Sequence, residues 1–270
     1  TASVFKDISI GAAGILKPDS SASITVSGNW SNSGTFTHNS GTVQFNGSTA
    51  QALTGDTFYN LTINNSHAAP DDTNDVDSSA AVTVTNTLTV SDGQFQPTTA
   101  SSFKDISIIA TGIFKADSSA NINVSGNWSK TGTFTPNTGT VTFNGAVAQT
   151  LTGETFYNLT INNTYTTPDD SNDVDSSALV TVTNLLTVTD GQFQPTTASV
   201  FKDISIGANG ILKADSSANI NVSGNWANSG AFTANTGTVT LNGTNQTISG
   251  NSTFYNLTKS VTTARTLTFE

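Results

Sequence analysis

The sequence predicts an all-β fold, a right-handed parallel β-helix (β-solenoid) with little or no α-helix. Three observations predict it: a long internal repeat, short apolar strands at even spacing inside that repeat, and glycine-containing turn pairs between the strands. No segment keeps the 3.6-residue apolar periodicity of an amphipathic helix over ten residues. A fold built from stacked turns is therefore the expectation.

The chain repeats itself every 98 residues. The motif FKDISI occurs three times, beginning at Phe5, Phe103 and Phe201. The motif FYNLT occurs at the same period, beginning at Phe58, Phe156 and Phe254. The 270 residues thus divide into a first copy (1–98), a second copy (99–196) and a partial third copy (197–270), which we expect to form one continuous rod.

Short strands recur inside each copy. In the second copy they centre on ISI (Ile106–Ile108), INV (Ile122–Val124), VTF (Val141–Phe143), LTI (Leu159–Ile161) and LTV (Leu186–Val188). Their first residues are 16, 19, 18 and 27 residues apart. This spacing suits one solenoid turn, and it predicts about five turns per copy and about 14 in the chain, each rising ~4.8 Å.

The pattern within and between strands supports stacked turns. Apolar and polar residues alternate along each strand, so the apolar set faces one side and fills the bore of the solenoid. Pairs such as Asn46-Gly47 and Asp92-Gly93 follow the strands. They are turn formers, because glycine accepts positive φ and Asn or Asp can bond the local backbone.

Composition excludes several classes of function. The net charge of −10 and the pI near 4.3 argue against nucleic acid and anionic lipid as partners. The absence of cysteine excludes a disulfide framework, and no apolar stretch reaches the ~20 residues of a membrane span. We expect an extracellular or cell-surface location. The opening TASVF matches the end of QFQPTTASVF at Gln192–Phe201, which predicts a fragment of a longer chain.

The segment GNWSKTGTFTPNTGTVTFNGAVAQTLTGETFYNLTINN (Gly126–Asn163) resembles the repeats of very large surface proteins of bacteria and archaea. The final FYNLTKSVTTARTLTFE (Phe254–Glu270) is similar to the way such proteins continue into further turns. The resemblance covers nearly the whole chain. It implies a parallel β-helix of the kind found in filamentous adhesins, and it carries no catalytic motif.

Two acidic loops are the candidate metal sites, PDDTNDVDSS at Pro70–Ser79 and PDDSNDVDSS at Pro168–Ser177. Ca²⁺ takes six to eight oxygen ligands from carboxylates, amides and carbonyls. The predicted ligands are Asp71, Asp72, Asn74, Asp75 and Asp77 in the first loop, and Asp169, Asp170, Asn172, Asp173 and Asp175 in the second. The alternative is a solvated acidic bulge that keeps the rod soluble. No other cofactor is expected.

Aromatic residues have two interpretations. The tryptophan of each GNW motif either packs at a corner with its N–H satisfied locally, which we favour, or offers a sugar-stacking platform. In FYNLT we expect Phe58 to face inward and Tyr59 to face outward or lie at a corner. His38 and His67 are replaced in the next copy by Pro136 and Tyr165, so neither is expected to act as a ligand or base.

Outward threonines suggest a further alternative, because regular Thr-x-Thr arrays on flat solenoids can match an ice lattice. Such triplets occur at Thr35–Thr37, Thr83–Thr85 and Thr181–Thr183. The neighbouring turns present mixed residues instead, for example Asp7 with Ser9. Stacked polar ladders are the favoured interpretation.

An enzyme is not expected. Lys6, Lys104 and Lys202 recur beside Asp7, Asp105 and Asp203. Active sites are usually single and asymmetric, so these repeated pairs are predicted to form ladder ion pairs. The sequence predicts a structural extracellular protein, a rigid spacer or filament segment of a surface fibre or adhesin stalk. It would associate with itself or with other surface proteins, and the alternatives are an adhesin module that binds glycans or surfaces, and an ice-binding solenoid.

Overall fold

The structure, a computed structural model, describes residues 2–67, 76–109, 111–165 and 174–270. The described residues form parallel strands that stack into a β-solenoid of about 12 turns, with no helix among them. None of these residues therefore belongs to a helix that could cross a membrane. The chain divides into two compact units, 1–139 and 140–270.

In the described part of the first unit the strands are β1 (Ser3–Phe5), β2 (Ile8–Ile10), β3 (Ile15–Leu16), β4 (Ile24–Val26), β5 (Trp30–Asn32), β6 (Thr35–Phe36), β7 (Thr42–Phe45), β8 (Gln51–Leu53), β9 (Thr57–Asn64), β10 (Val76–Ser78), β11 (Thr83–Asp92), β12 (Gln94–Pro97), β13 (Ser101–Ile108), β14 (Ile113–Lys115), β15 (Ile122–Val124), β16 (Trp128–Lys130) and β17 (Thr133–Thr135).

In the described part of the second unit they are β18 (Thr140–Phe143), β19 (Gln149–Leu151), β20 (Thr155–Asn162), β21 (Val174–Ser176), β22 (Thr181–Pro195), β23 (Ser199–Lys213), β24 (Ile220–Val222), β25 (Trp226–Asn228), β26 (Ala231–Thr233), β27 (Thr238–Leu241), β28 (Gln246–Gly250), β29 (Asn256–Lys259) and β30 (Leu267–Phe269).

Each turn of the first unit contributes strands to three columns. One column runs β1–β4–β7–β9–β11–β13, all in parallel register. A second runs β2–β5–β8–β10–β12–β14–β17. The third begins with β3 and β6 and continues through Phe58, Val84 and Phe103, the amino-terminal parts of longer strands that bend across a corner.

The register fixes the length of a turn. The first column pairs Ser3, Ile24, Val43, Leu61, Leu88 and Ile106 in succession. These five turns take the chain from residue 3 to residue 106, which is 103 residues rather than 98. Ile106 is the counterpart of Ile8, which lies one column further on. Since a turn has three faces, one for each column, a copy is shorter than five turns by one third of a turn. Each copy therefore makes about four and two-thirds turns.

This shortfall explains a difference from the sequence-based expectation. Five turns per copy predict about 14 turns, whereas the structure has about 12. The 16-residue step from Ile106 to Ile122 is not a turn, because Ile106 pairs with Trp128 and Ile122 pairs with Ser101. The 27-residue step is a turn, since Leu61 pairs with Leu88 and Leu159 with Leu186. It contains the acidic segment, as the sequence predicts.

The second unit follows the same rules. Its longest column pairs Val141, Leu159, Leu186, Ile204, Trp226 and Ile248. In both units apolar side chains alternate inward, as in β7 and β18, where Val43, Phe45 and Phe143 are buried. Burial of this apolar bore is the main favourable term for the fold.

Candidate functional site

Most of the predicted calcium ligands lie outside the described residues. These are Asp71, Asp72, Asn74 and Asp75 in the first copy, and Asp169, Asp170, Asn172 and Asp173 in the second. Asp77 and Asp175 are described, and they occupy the same place on β10 and β21. The candidate site is therefore built from these two aspartates and their neighbours, one set in each unit.

Asp77 faces outward from the middle of β10, between Ala52 on β8 and Gln96 on β12. The side chain is half-buried, and its Oδ1 atom is buried without a hydrogen-bond partner among the described residues. Burial raises the pKa of this carboxyl above 3.8, and the nearby Asp117 carboxylate raises it further. Both effects disfavour the charged form, so Asp77 lies where a carboxylate is poorly stabilised by protein groups.

Asp175 repeats this arrangement in the second unit. Its pKa is raised from 3.8 first by burial and then by the Asp215 carboxylate. Its Oδ1 is likewise buried, and no hydrogen-bond partner for it lies within the part of the chain that the structure describes. Gln194 lies beside it on the next turn, and Gln194 Nε2 is 3.5 Å from Asp215 Oδ1. A repeated environment of this kind favours a role that the first and second copies share.

A shallow surface cleft of about 440 Å³ adjoins this part of the second unit. It is lined by Lys213, Asp215, Ser216, Asn235 and Thr236. The lining is polar, and its charged side chains are one lysine and one aspartate rather than several carboxylates directed at one point. No group of three or more His, Cys, Asp or Glu side chains that could hold a metal occurs among the described residues.

The tryptophans belong to the core. Trp30, Trp128 and Trp226 are each 1% exposed. The ring of Trp30 packs edge-on against Phe36 at 4.8 Å and Phe58 at 5.4 Å, and its Nε1 donates to Asp56 Oδ2 at 3.0 Å. The structural interpretation is confirmed, because a sugar-stacking platform needs an exposed ring face. Phe58 is also buried, and Tyr59 is half-buried, as the sequence predicts.

In the repeated Lys-Asp pairs, the aspartate is the residue that hydrogen-bonds the next turn. Asp105 Oδ1 accepts the backbone N–H of Asn127 at 2.7 Å, one turn further on. A Cβ on Gly126 would lie 2.3 Å from the same oxygen, so this corner requires glycine. Asp7 and Asp203 repeat the contact with Asn29 and Asn225. The fixed 22-residue distance from KD to GN in every copy is the signal that would have revealed this ladder.

The outward threonines do not all point into solvent. Thr85 Oγ1 donates to Phe58 O at 3.2 Å, and Thr183 Oγ1 donates to Phe156 O at 3.3 Å. The strand register shifts beside Thr85, between Val84 and Thr87. On the neighbouring face, Thr25, Gln44 and Thr62 are paired in one row. The outward rows are therefore mixed in residue type, and part of their hydroxyls bond the backbone.

The third copy contains a feature that the sequence analysis did not single out. Lys259 occupies the inward position held by Ile63 and Ile161 in the other copies. Its Nζ donates to Gly243 O at 2.9 Å and Thr244 O at 2.8 Å. Desolvation, and to a lesser degree Arg265, lowers the pKa of Lys259. The ammonium group thus binds corner carbonyls in place of an apolar contact.

Comparison with known proteins gives no relative. No family model, no curated protein and no solved structure matches the chain. The geometry of the solenoid and of its repeated polar corners is therefore the basis for any functional conclusion.

Proposed function

We propose that this chain is a non-enzymatic structural protein, a rigid extracellular spacer or filament segment of a surface fibre or adhesin stalk. The observation that carries the proposal is the parallel register in each unit, which joins turn to turn above an apolar bore. Backbone groups of one turn pair with those of the next, so length increases with the number of turns. Stability then needs no disulfide.

The proposal predicts how length depends on repeat number. Insertion of one further copy of residues 99–196 should lengthen the particle by about 22 Å, since four and two-thirds turns rise ~4.8 Å each. Electron microscopy of the original and lengthened proteins measures this increment. A lengthened protein of unchanged long dimension, or one that shows separate beads, would contradict the proposal.

Self-association is the second part of the proposal. Parallel stacking pairs the backbone groups of each turn with those of the next. A strand whose backbone groups are unpaired therefore favours addition of another strand. Binding of other surface proteins or of glycans remains the alternative, and the buried tryptophans give it no support.

We further propose that the acidic segments bind calcium, through the ten residues predicted above. Asp77 and Asp175 support this, because each has a buried carboxylate oxygen that no described residue hydrogen-bonds, and a second carboxyl group nearby. Calcium should raise the melting temperature over that in chelator, and Asp77→Asn with Asp175→Asn should reduce the difference. An unchanged melting temperature, with no metal by elemental analysis, would contradict calcium binding and leave the spacer proposal intact.

A further inference from the structure

Every copy of the repeat carries a chemically unstable dipeptide at the same corner. The three pairs are Asn46-Gly47, Asn144-Gly145 and Asn242-Gly243. In an Asn-Gly pair the glycine nitrogen can attack the asparagine Cγ, forming a C–N bond and releasing ammonia to give a succinimide. Water then opens the ring to aspartate or isoaspartate. The isoaspartate product adds a methylene to the main chain.

The glycine of this pair cannot be exchanged for another residue. A Cβ on Gly47 would lie 2.7 Å from Ser27 O and 2.8 Å from Gln51 Cδ. A Cβ on Gly243 would lie 1.7 Å from Ser223 O. The asparagines before them are exposed to water. The close approach of the preceding turn therefore requires the residue that makes the asparagine most reactive.

A buried glutamine contacts the reactive nitrogen in each copy. Gln51, Gln149 and Gln246 are 2%, 0% and 2% exposed. Gly47 N donates to Gln51 Oε1 at 2.9 Å, Gly145 N to Gln149 Oε1 at 2.9 Å, and Gly243 N to Gln246 Oε1 at 3.0 Å. The nucleophile of the succinimide reaction is thus the donor of a buried hydrogen bond.

The glutamine is itself held from the other side. Gln51 Nε2 donates to Val26 O at 3.1 Å and Gly28 O at 2.6 Å, both on the preceding turn. Asn65 Nδ2 is a second donor to Gln51 Oε1, at 2.9 Å. With both ends of its amide bonded, the glutamine keeps a fixed position, and the glycine N–H stays directed toward the interior.

We propose that the buried glutamine of each copy protects the Asn-Gly pair at its corner from deamidation. The attack requires the glycine nitrogen to lose its proton and approach Cγ of the asparagine. The bond to Oε1 favours the protonated nitrogen and holds the backbone away from that approach. Protection matters here because an added methylene would disturb strand register with the turns above and below. This inference is independent of the proposed spacer function.

The test compares two matched variants, Gln51→Met and Gln149→Met, which remove the acceptor oxygen and keep a side chain of similar length. The proteins are held in mildly alkaline buffer, and isoaspartate at each Asn-Gly pair is followed by peptide mapping. Gln51→Met should raise the rate at Asn46 about tenfold, as expected for loss of one buried hydrogen bond, and leave Asn144 unchanged. Gln149→Met should do the reverse.

The design contains its own controls. Asn209-Gly210 lies inside β23, and its rate should be the same in both variants and the wild type. Equal acceleration at all pairs would mean general loosening, and no acceleration at the matched pair would mean no protection; either result overturns the proposal. Should one variant fail to fold, the other still tests it. In wild type, Asn46 must also deamidate far more slowly than in the urea-unfolded chain.

Discussion

At the scale of single residues, the indole nitrogens of Trp30 and Trp226 limit which side chains can lie beside them. Trp30 Nε1 donates to Asp56 Oδ2 at 3.0 Å, and Trp226 Nε1 donates to Ser252 Oγ at 3.0 Å. The two acceptors differ in charge and size, but each places an oxygen beside the ring. The requirement is therefore for a hydrogen-bond acceptor rather than for a carboxylate.

Two substitutions at Asp56 should differ in their effect on stability. Asp56→Ser should stay within about 0.5 kcal/mol of wild type, because the hydroxyl can accept the indole N–H as Ser252 does. Asp56→Ala should cost about 1–3 kcal/mol, the usual penalty for an unpaired buried donor. Urea denaturation monitored by tryptophan fluorescence measures both. Equal losses in the two variants would show that the acceptor is not the cause.

The sequence predicts the corner position of the tryptophan but not its partner. GNW identifies a turn followed by an aromatic residue, and burial of Trp30 and Trp226 confirms that interpretation. The acceptor lies 26 residues away along the chain, and its residue type changes from copy to copy. Only knowledge of which residues stack on adjacent turns could have placed the two together.

At the scale of strands, the alternation of apolar and polar residues in the sequence correctly predicts where several strands with buried apolar side chains lie. INV coincides with β15, while VTF and LTI lie within β18 and β20. The long strands β22 and β23 were not predicted, because each bends across a corner where alternation is interrupted. The acidic segment was predicted as an insertion, and the 27-residue step from Leu159 to Leu186 confirms it.

Strands β10 and β21 carry a pH dependence through Asp77 and Asp175. Their pKa values are raised in the folded chain, so the stability they contribute is complete below pH 3.8 and is lost as pH rises through the folded pKa. At neutral pH their charges oppose folding. Asp77→Asn with Asp175→Asn should thus raise the free energy of unfolding at neutral pH by less than about 1 kcal/mol per site, given solvent screening. The melting temperature should rise with it.

The same double variant at low pH tests whether its greater stability at neutral pH comes from removal of the two charges. Below pH 3.8 the double variant and the wild type should melt together, because all these groups are then neutral. Asp19→Asn, which removes an exposed carboxylate elsewhere, should have little effect at any pH. Melting curves in chelator exclude a contribution from calcium. A double variant that is less stable than wild type at neutral pH would contradict the assignment.

At the scale of the whole molecule, turn count and self-association follow from how turns stack. The spacer proposal includes self-association, because unpaired strand edges favour addition of further strands. Sedimentation velocity at increasing concentration should therefore show assemblies larger than one chain. A single monomeric species at every concentration would contradict self-association and leave the length prediction intact.

Each copy ends one face short of a whole number of turns, and this affects lateral contacts between identical chains. Ile8 lies in the second column, on β2, and its counterpart Ile106 lies in the first column, on β13. The same motif therefore appears on a different side of the solenoid in the next copy. With a shift of one of three faces per copy, the same motif returns to the same side only once in every three copies. Near-identical repeats invite wrong pairing between molecules. Because the number of turns per copy is not a whole number, a lateral contact that fits a motif in one copy does not meet the same motif on that side in the next copy.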